Sequence, residues 1–204
     1  MADNLFISIP NSANYQLPDA GLLQYYKDLD NRAYSLIGEV DENLLDFVSK
    51  IIEWNREDKD IPVEERTPIK FYINSPGGSL DVNYTLIDTI HMSKTPVIAI
   101  NLGACCSAAA YIYLSCHKRY MLPHSYFVFH QGSSNLGGSY AEVMAAIQDY
   151  QGQVEELSNL LKNSTHYTEE EIAENIITEW YVRKDEALEK GVCDKVLEDI
   201  DELL

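Results

Sequence analysis

Apolar residues follow two repeating patterns along the chain. Short uninterrupted apolar runs, typical of buried strands, alternate with longer segments in which apolar residues recur every three or four positions, as in an amphipathic helix. The runs predict strands at 33–37, 69–73, 97–100, 120–122, 126–129 and 181–182, and a last one within 192–196. Helical segments separate most of these runs, and this alternation predicts an α/β fold with parallel strand pairing.

Glycine and capping residues set the expected limits of these elements. Gly38 and Gly103 are expected to close the first and third strands, and the segment 74–78 to break the second strand sharply. Thr168 and Glu171 form a capping box for a helix. Asp41 is placed to cap another helix. The apolar positions of that helix, expected to face a core, are Leu44, Leu45, Val48, Ile51 and Ile52.

The longest helical segment runs from about 140 to 161. A compact core of this size does not need so long a helix, so we expect it to project and to pack against a neighbouring subunit. Residues 1–30 are polar and contain Pro10 and Pro18, which predicts a peripheral or flexible N-terminal segment with a short helix at 22–26. Residues 31–204 are expected to form one domain.

Two strand-to-helix junctions combine polar groups with glycine or other small residues. At Ser75-Pro76-Gly77-Gly78 the backbone turns tightly before a helix. Glycine lets backbone amides approach a ligand closely, and the positive end of a helix dipole favours an oxyanion. A plain turn is the alternative interpretation of the same residues.

The second junction places Ser107 at a helix start among small side chains, within Gly103 to Ala110. A serine there can act as a nucleophile on a sharp turn, although Gly-x-Ser-x-Gly itself is absent. The alternative is a serine that caps the helix. Cys105 and Cys106 are competing nucleophiles, since a thiolate reacts well when its pKa is depressed.

His130 is the candidate general base among five histidines. It ends the apolar run 126–129 and precedes a glycine-containing polar loop, which gives it the access that proton transfer requires. A surface histidine, or one satisfied by its neighbours, is the alternative.

Together these residues resemble a known family. The segment from Phe71 to Gly78, the Gly103–Ala110 segment, Leu122-Pro123-His124-Ser125 and Phe129-His130-Gln131 occur in the order and spacing of the ClpP family, the proteolytic subunits of the ATP-dependent Clp protease. Glu186-Ala187 with Gly191-Val192-Cys193-Asp194 resembles the family's C-terminal motif. The likeness covers roughly residues 30–196 and marks a divergent member.

The resemblance implies a fold and a site. The fold is the ClpP/crotonase-like spiral of ββα units, assembled as heptameric rings that stack into a closed chamber. Ser107 falls on the nucleophile and His130 on the base, while Gly78 and Ala108 fall on the amides of the oxyanion hole. The edge that holds the substrate backbone falls on Ser79 and Leu80.

The sequence departs from the family pattern at several positions. Glu179 stands where the family has the aspartate of its triad; glutamate keeps the charge, and some hydrolases use it. Lys70 lies where the family often has an aromatic residue in the docking pocket for the unfoldase. The loop after His130 also differs. A structural ring subunit with little catalysis is therefore an alternative, and a crotonase-type acyl-CoA enzyme is disfavoured by the serine–histidine pair.

Composition and net charge limit the kinds of partner and the location expected for this chain. The chain has 204 residues and a net charge of −18, so nucleic acid and anionic membrane are not expected as partners. Its four cysteines lack zinc-site spacing and predict reduced thiols, and with no leader-like or membrane-spanning pattern the expected location is cytoplasmic. Neither a metal nor an organic cofactor is expected. The resemblance implies a separate AAA+ unfoldase that delivers polypeptide substrates. The chain itself has no Gly-x-x-x-x-Gly-Lys-[Ser/Thr] loop.

Overall fold

The computed structural model describes residues 19–203; the prediction for residues 1–18 lies outside them. Within that range the helices are α1 Ala20–Asp30, α2 Leu45–Glu57, α3 Leu80–Met92, α4 Ala108–Leu114, α5 Tyr140–Ser164, α6 Glu169–Asn175 and α7 Lys184–Glu189. The strands are β1 Ala33–Val40, β2 Ile69–Gly78, β3 Val97–Cys106, β4 Lys118–Met121, β5 Tyr126–Phe129, β6 Trp180–Arg183 and β7 Lys195–Val196.

The strands form one largely parallel sheet. β1, β2, β3, β4 and β7 lie in that order, each parallel to its neighbour. The first part of β3 pairs with β4, and its last residues pair instead with β5. β6 pairs with β5 in the antiparallel direction. The predicted α/β fold with parallel pairing is confirmed, with β6 as the antiparallel strand.

Helix α4 lies at the centre of the core. All seven of its residues are buried, and it packs on β2, β3, α3 and α5. Ala108, Ala109 and Ala110 leave room for this close packing, while Tyr111 and Tyr113 fill space beside the rings of β5. The residue that precedes α4 is therefore held by the best-packed part of the molecule.

The glycines predicted to end strands lie inside them. Gly38 has a φ of 106° at a register shift between Ile37 and Glu39, so β1 continues past it to Val40. β3 likewise continues past Gly103 to Cys106, and β2 is irregular beyond Ile73 but reaches Gly78. These irregularities lengthen the strands and turn their ends towards the helix starts.

The buried face of α2 differs from the predicted one. Phe47, Ile51 and Trp54 are buried, at the spacing of one helix face. Leu45 and Ile52 were expected in the core and are exposed. The two large aromatic side chains rotate the helix so that these aliphatic residues lie outside the core.

Helix α5 begins with a capping box between Ser139 and Glu142 and runs for 25 residues. Its buried residues are Leu157 and Leu161, both in the C-terminal half. The first half therefore lies away from the core, as predicted. No helix between residues 19 and 203 is long and apolar enough to cross a bilayer.

Candidate active site

The register of β3 and β5 brings the two principal candidates together. Cys106, the last residue of β3, pairs in parallel with Val128 of β5. Ser107 follows directly and donates its amide to the Val128 carbonyl at 2.8 Å. His130 follows the end of β5, so both side chains leave the same edge of the sheet.

Ser107 and His130 line one cavity of about 220 Å³. Gly78 and Leu80 form another part of its wall. The remaining lining residues are Tyr111, Gln131, Gly132, Ser133, Tyr150, Val154 and Leu157. The four predicted residues at this cavity come from three different segments of the chain, which the sheet assembles.

Ser107 has an unusual backbone conformation. Its φ is 52° and its ψ is −130°, and its side chain makes no capping hydrogen bond to α4. Ser107 thus occupies the N-cap position of α4, but its hydroxyl does not cap the helix. A non-glycine residue with positive φ is strained and is held in place by its surroundings. Such a turn presents the serine hydroxyl outward instead of folding it onto the helix.

Gly77 packs directly against this turn, and Gly78 packs against β1. A β-carbon on Gly77 would lie 2.6 Å from the Ser107 β-carbon and 2.7 Å from the Cys106 carbonyl oxygen. A β-carbon on Gly78 would lie 2.3 Å from the carbonyl oxygen of Val40. Only glycine fits at either position. The first junction is thus more than a plain turn, because its backbone contacts the second junction.

One of the two expected oxyanion amides, that of Ala108, lies at this contact. Ala108 is the first residue of α4, and the first amides of a helix have no acceptor within it. The Ala108 nitrogen would be 3.1 Å from a β-carbon on Gly77, so the glycine backbone and the start of α4 border the same space. Two amide-bearing segments of this kind can stabilise a developing oxyanion.

The two residues predicted to hold substrate differ in their surroundings. The Ser79 amide donates to the Val40 carbonyl at 2.8 Å, and its carbonyl accepts from the Asn83 amide at 3.1 Å. Its hydroxyl caps α3 by accepting from Val82 at 3.4 Å. Ser79 therefore has its hydrogen-bonding groups engaged, whereas Leu80, the first residue of α3, lies at the cavity.

The loop after His130 is tied to two helices. The Gln131 amide donates to the Ile176 carbonyl at 3.0 Å. The Tyr150 hydroxyl of α5 donates to the Gln131 carbonyl at 2.8 Å. No pattern in the sequence signals that Tyr150 anchors this loop.

Glu179 directly precedes β6, and its side chain points towards Tyr181 of that strand. Its Oε2 accepts a hydrogen bond from the Tyr181 hydroxyl at 2.7 Å. Among residues 19–203, no hydrogen bond joins Glu179 to His130. The structure thus brings Ser107, His130, Gly78 and Leu80 to one cavity, and leaves the Glu179 carboxylate on Tyr181.

The cysteines beside Ser107 are poor nucleophiles. Cys105 is fully buried, and burial raises the pKa of its thiol well above the ordinary value. Burial also raises the pKa of the Cys106 thiol, and the nearby negative charge of Glu179 raises it further. Neither thiol is poised to ionise near neutral pH, which favours the Ser107 hydroxyl over both.

Comparison with known proteins agrees with this fold. A family model described as Clp protease matches residues 22–200. The chain therefore belongs to the Clp protease family, and the ClpP resemblance read from the sequence is confirmed.

Three similar curated proteins share the name ATP-dependent Clp protease proteolytic subunit 2. The protein from Treponema denticola is 27% identical over 87% of this chain and 86% of its own length. That from Treponema pallidum is 26% identical over 85% and 86%. That from Cutibacterium acnes is 29% identical over 96% and 92%. These modest identities over nearly whole chains fit a divergent peptidase subunit.

Proposed function

We propose that this chain is a serine endopeptidase that cleaves peptide bonds of unfolded polypeptides. The observation that supports it most is the strained Ser107, which makes no capping hydrogen bond and shares a cavity with His130. The contact of Gly77 with this serine turn adds an amide-rich wall at the nucleophile. A candidate nucleophile, a candidate base and backbone amides, the three groups that serine-peptidase chemistry requires, thus occur at one place.

In the proposed reaction, the Ser107 hydroxyl attacks the carbonyl carbon of a peptide bond while His130 accepts its proton. The amides of Gly78 and Ala108 stabilise the negative oxygen of the tetrahedral intermediate. His130 then donates the proton to the leaving amine, and the acyl-enzyme forms. Water, deprotonated by the same histidine, hydrolyses the ester and restores Ser107. Glu179 is the proposed partner that orients the imidazole.

We further propose that the subunit works in an oligomeric chamber, as a heptamer or a double ring of fourteen, in the cytoplasm. The long helix with its outlying first half supports assembly with other copies. The family relationship supports an ATP-dependent unfoldase as the partner that delivers substrate, since the chain carries no nucleotide loop of its own. We propose that residues 31–204 form the peptidase domain and that residues 1–30 are an N-terminal segment that precedes it.

A fluorophosphonate probe tests the site directly. Because the probe forms a covalent bond only with an activated hydroxyl, we expect a single adduct on Ser107, located by peptide mass mapping. Ser107→Ala should remove both the adduct and the hydrolysis of a fluorogenic peptide, and leave assembly unchanged because alanines already follow this position.

Cys106→Ala is the matched control, since it removes the neighbouring nucleophile and should keep the adduct. Retained hydrolysis in Ser107→Ala would contradict the proposal. Absence of any adduct or hydrolysis in a well-folded wild-type oligomer would instead favour a structural ring subunit beside an active paralogue.

A further inference from the structure

The antiparallel pairing of β5 and β6 places Glu179 next to the proposed base. Phe129 pairs with Trp180 at the end of this ladder. The next residues outward are His130 and Glu179, which lie just past the last pair of the ladder. Directly opposite residues of antiparallel strands lie on the same face with β-carbons about 4.5–5.5 Å apart. Continued by one residue, the same register would bring the carboxylate within reach of the imidazole.

The side chain makes a different contact. Tyr181 is the second residue of β6 and Glu179 directly precedes the strand, so in extended backbone both side chains lie on one face. The Tyr181 hydroxyl donates to Glu179 Oε2 at 2.7 Å. The Tyr181 ring also lies 6.0 Å from that of Tyr126, and the Arg183 guanidinium lies 5.4 Å from the Tyr126 ring centre. The phenol is thereby supported in the position from which it holds the carboxylate.

We propose that Tyr181 is a positioning residue that competes with His130 for the carboxylate of Glu179. In the structure the phenol holds Glu179, and transfer of the carboxylate to His130 completes the triad. This inference rests on the proposed peptidase function. It identifies a residue outside the cavity that sets how often the site is fully assembled.

The length of glutamate makes this competition feasible. Its extra methylene and extra rotatable bond let the carboxylate swing along the strand, whereas an aspartate is confined closer to its own backbone. A hydrogen bond to a charged carboxylate is stronger than a neutral one, but both partners here are exposed, which weakens it. The preference of the Glu179 carboxylate for Tyr181 over His130 is therefore modest, and substrate binding can reverse it.

Other ionisable groups around the pair are few. Cys106 of β3 lies close enough for the Glu179 charge to raise its pKa, and Tyr150 of α5 shares the cavity with His130. Arg183 lies further along β6, over Tyr126. Of these groups, Glu179 is the one carboxylic acid, so transfer of its side chain dominates any change at the imidazole.

Tyr181→Phe tests the inference, because it removes the hydroxyl and keeps the ring. We expect kcat/KM for a fluorogenic peptide to rise about 3- to 10-fold, the scale of one exposed charge-assisted hydrogen bond. In a Glu179→Gln background the same change should have no effect, since no carboxylate remains to be released. Tyr126→Phe is the matched control: it removes a neighbouring hydroxyl, which has no hydrogen-bond partner among residues 19–203, and should leave kcat/KM unchanged.

A titration gives a readout that does not depend on turnover. A carboxylate that approaches an imidazolium stabilises it and raises its pKa. We expect Tyr181→Phe to move the NMR titration of the His130 imidazole to higher pH, with the signal assigned by means of a His130 variant. In active protein the acid limb of the kcat/KM profile should move to higher pH in the same way.

Either of two results overturns the inference. If Tyr181→Phe leaves the His130 titration where it is in the wild type, the phenol does not hold the carboxylate away from the imidazole. If it lowers kcat/KM while Tyr126→Phe does not, Tyr181 supports the active arrangement instead of competing with it. Failure of the proposed peptidase function would show separately, as absence of the Ser107 adduct, and the NMR titration would still decide the role of Tyr181.

Discussion

At the scale of single residues, the site depends on one strained backbone. A side chain held at the dihedral angles of Ser107 costs on the order of 1–3 kcal/mol, and the surrounding structure must supply this. The buried α4 and the close contact with Gly77 do so. Residue types and their small neighbours made Ser107 and His130 candidates in the sequence, and the family resemblance assigned their expected roles. The strain and the cavity could not be read there, because both arise from contacts between segments far apart in the chain.

Tyr111 offers a test of the core beside this serine. Its hydroxyl is buried and has no hydrogen-bond partner within residues 19–203. A buried hydroxyl without a partner loses its bonds to water and gains nothing in return, at a cost of about 1–3 kcal/mol. Burial also raises the pKa of this phenol far above its usual value, so it stays a protonated donor. We expect Tyr111→Phe to raise the free energy of unfolding by about 1 kcal/mol.

Tyr113 on the same helix is the matched control. It is equally buried, but its hydroxyl donates to the Tyr120 carbonyl at 3.0 Å. Tyr113→Phe removes this hydrogen bond and should lower the free energy of unfolding by about 1 kcal/mol. Urea unfolding of both variants at one protein concentration measures the pair of effects. A destabilised Tyr111→Phe would mean that its hydroxyl has a partner in solution.

At the scale of elements, strand pairing and helix caps could be predicted where one local pattern decides them. The strand at 126–129 and the capping box of Thr168 with Glu171 match the structure because an apolar run and a capping pair are local signals. The strand ends predicted at Gly38 and Gly103 are wrong, because glycine marks both strand ends and irregularities inside strands. Only the pairing with the neighbouring strand distinguishes the two. The Tyr181–Glu179 contact had no pattern to predict it.

Glycine also supplies a prediction about the junction before α3. Gly77 has a φ of 101° and no room for a β-carbon beside Ser107. Gly77→Ala should therefore lower the free energy of unfolding by about 2 kcal/mol or more and displace the serine, so that peptide hydrolysis falls further than the folded fraction does. Thermal unfolding and kcat/KM, measured on the same preparation, separate the two effects.

Gly152→Ala makes the same chemical change, but its expected effect on the free energy of unfolding has the opposite sign. A β-carbon at this exposed position of α5 would meet no atom within 4 Å, and alanine is the better helix former. We expect stabilisation by about 0.5–1 kcal/mol with hydrolysis unchanged. Equal behaviour of the two variants would show that the crowding at Gly77 relaxes without consequence.

At the scale of the whole molecule, net charge opposes the association of copies of the chain, whereas exposed apolar surface favours it. A net charge of −18 makes copies of the chain repel, and this repulsion weakens as salt screens it. Tyr140 and Met144 are nevertheless exposed on the first half of α5, which the core of this subunit does not cover. Association with other copies would bury these side chains, and moderate salt should favour it.

We therefore expect the purified protein to sediment as an oligomer several times heavier than the 23.2 kDa chain, with more oligomer in moderate salt than in low salt. Met144→Lys should shift the distribution towards smaller species, because it would bury a charge wherever Met144 is covered. Gln148→Lys, an exposed polar position one turn further along α5, adds the same charge and should have a weaker effect. Analytical ultracentrifugation over a wide concentration range measures all three proteins. A wild type that remains a monomer throughout would contradict the proposed assembly, and equal effects of the two lysines would show that net charge, and not the surface around Met144, controls it.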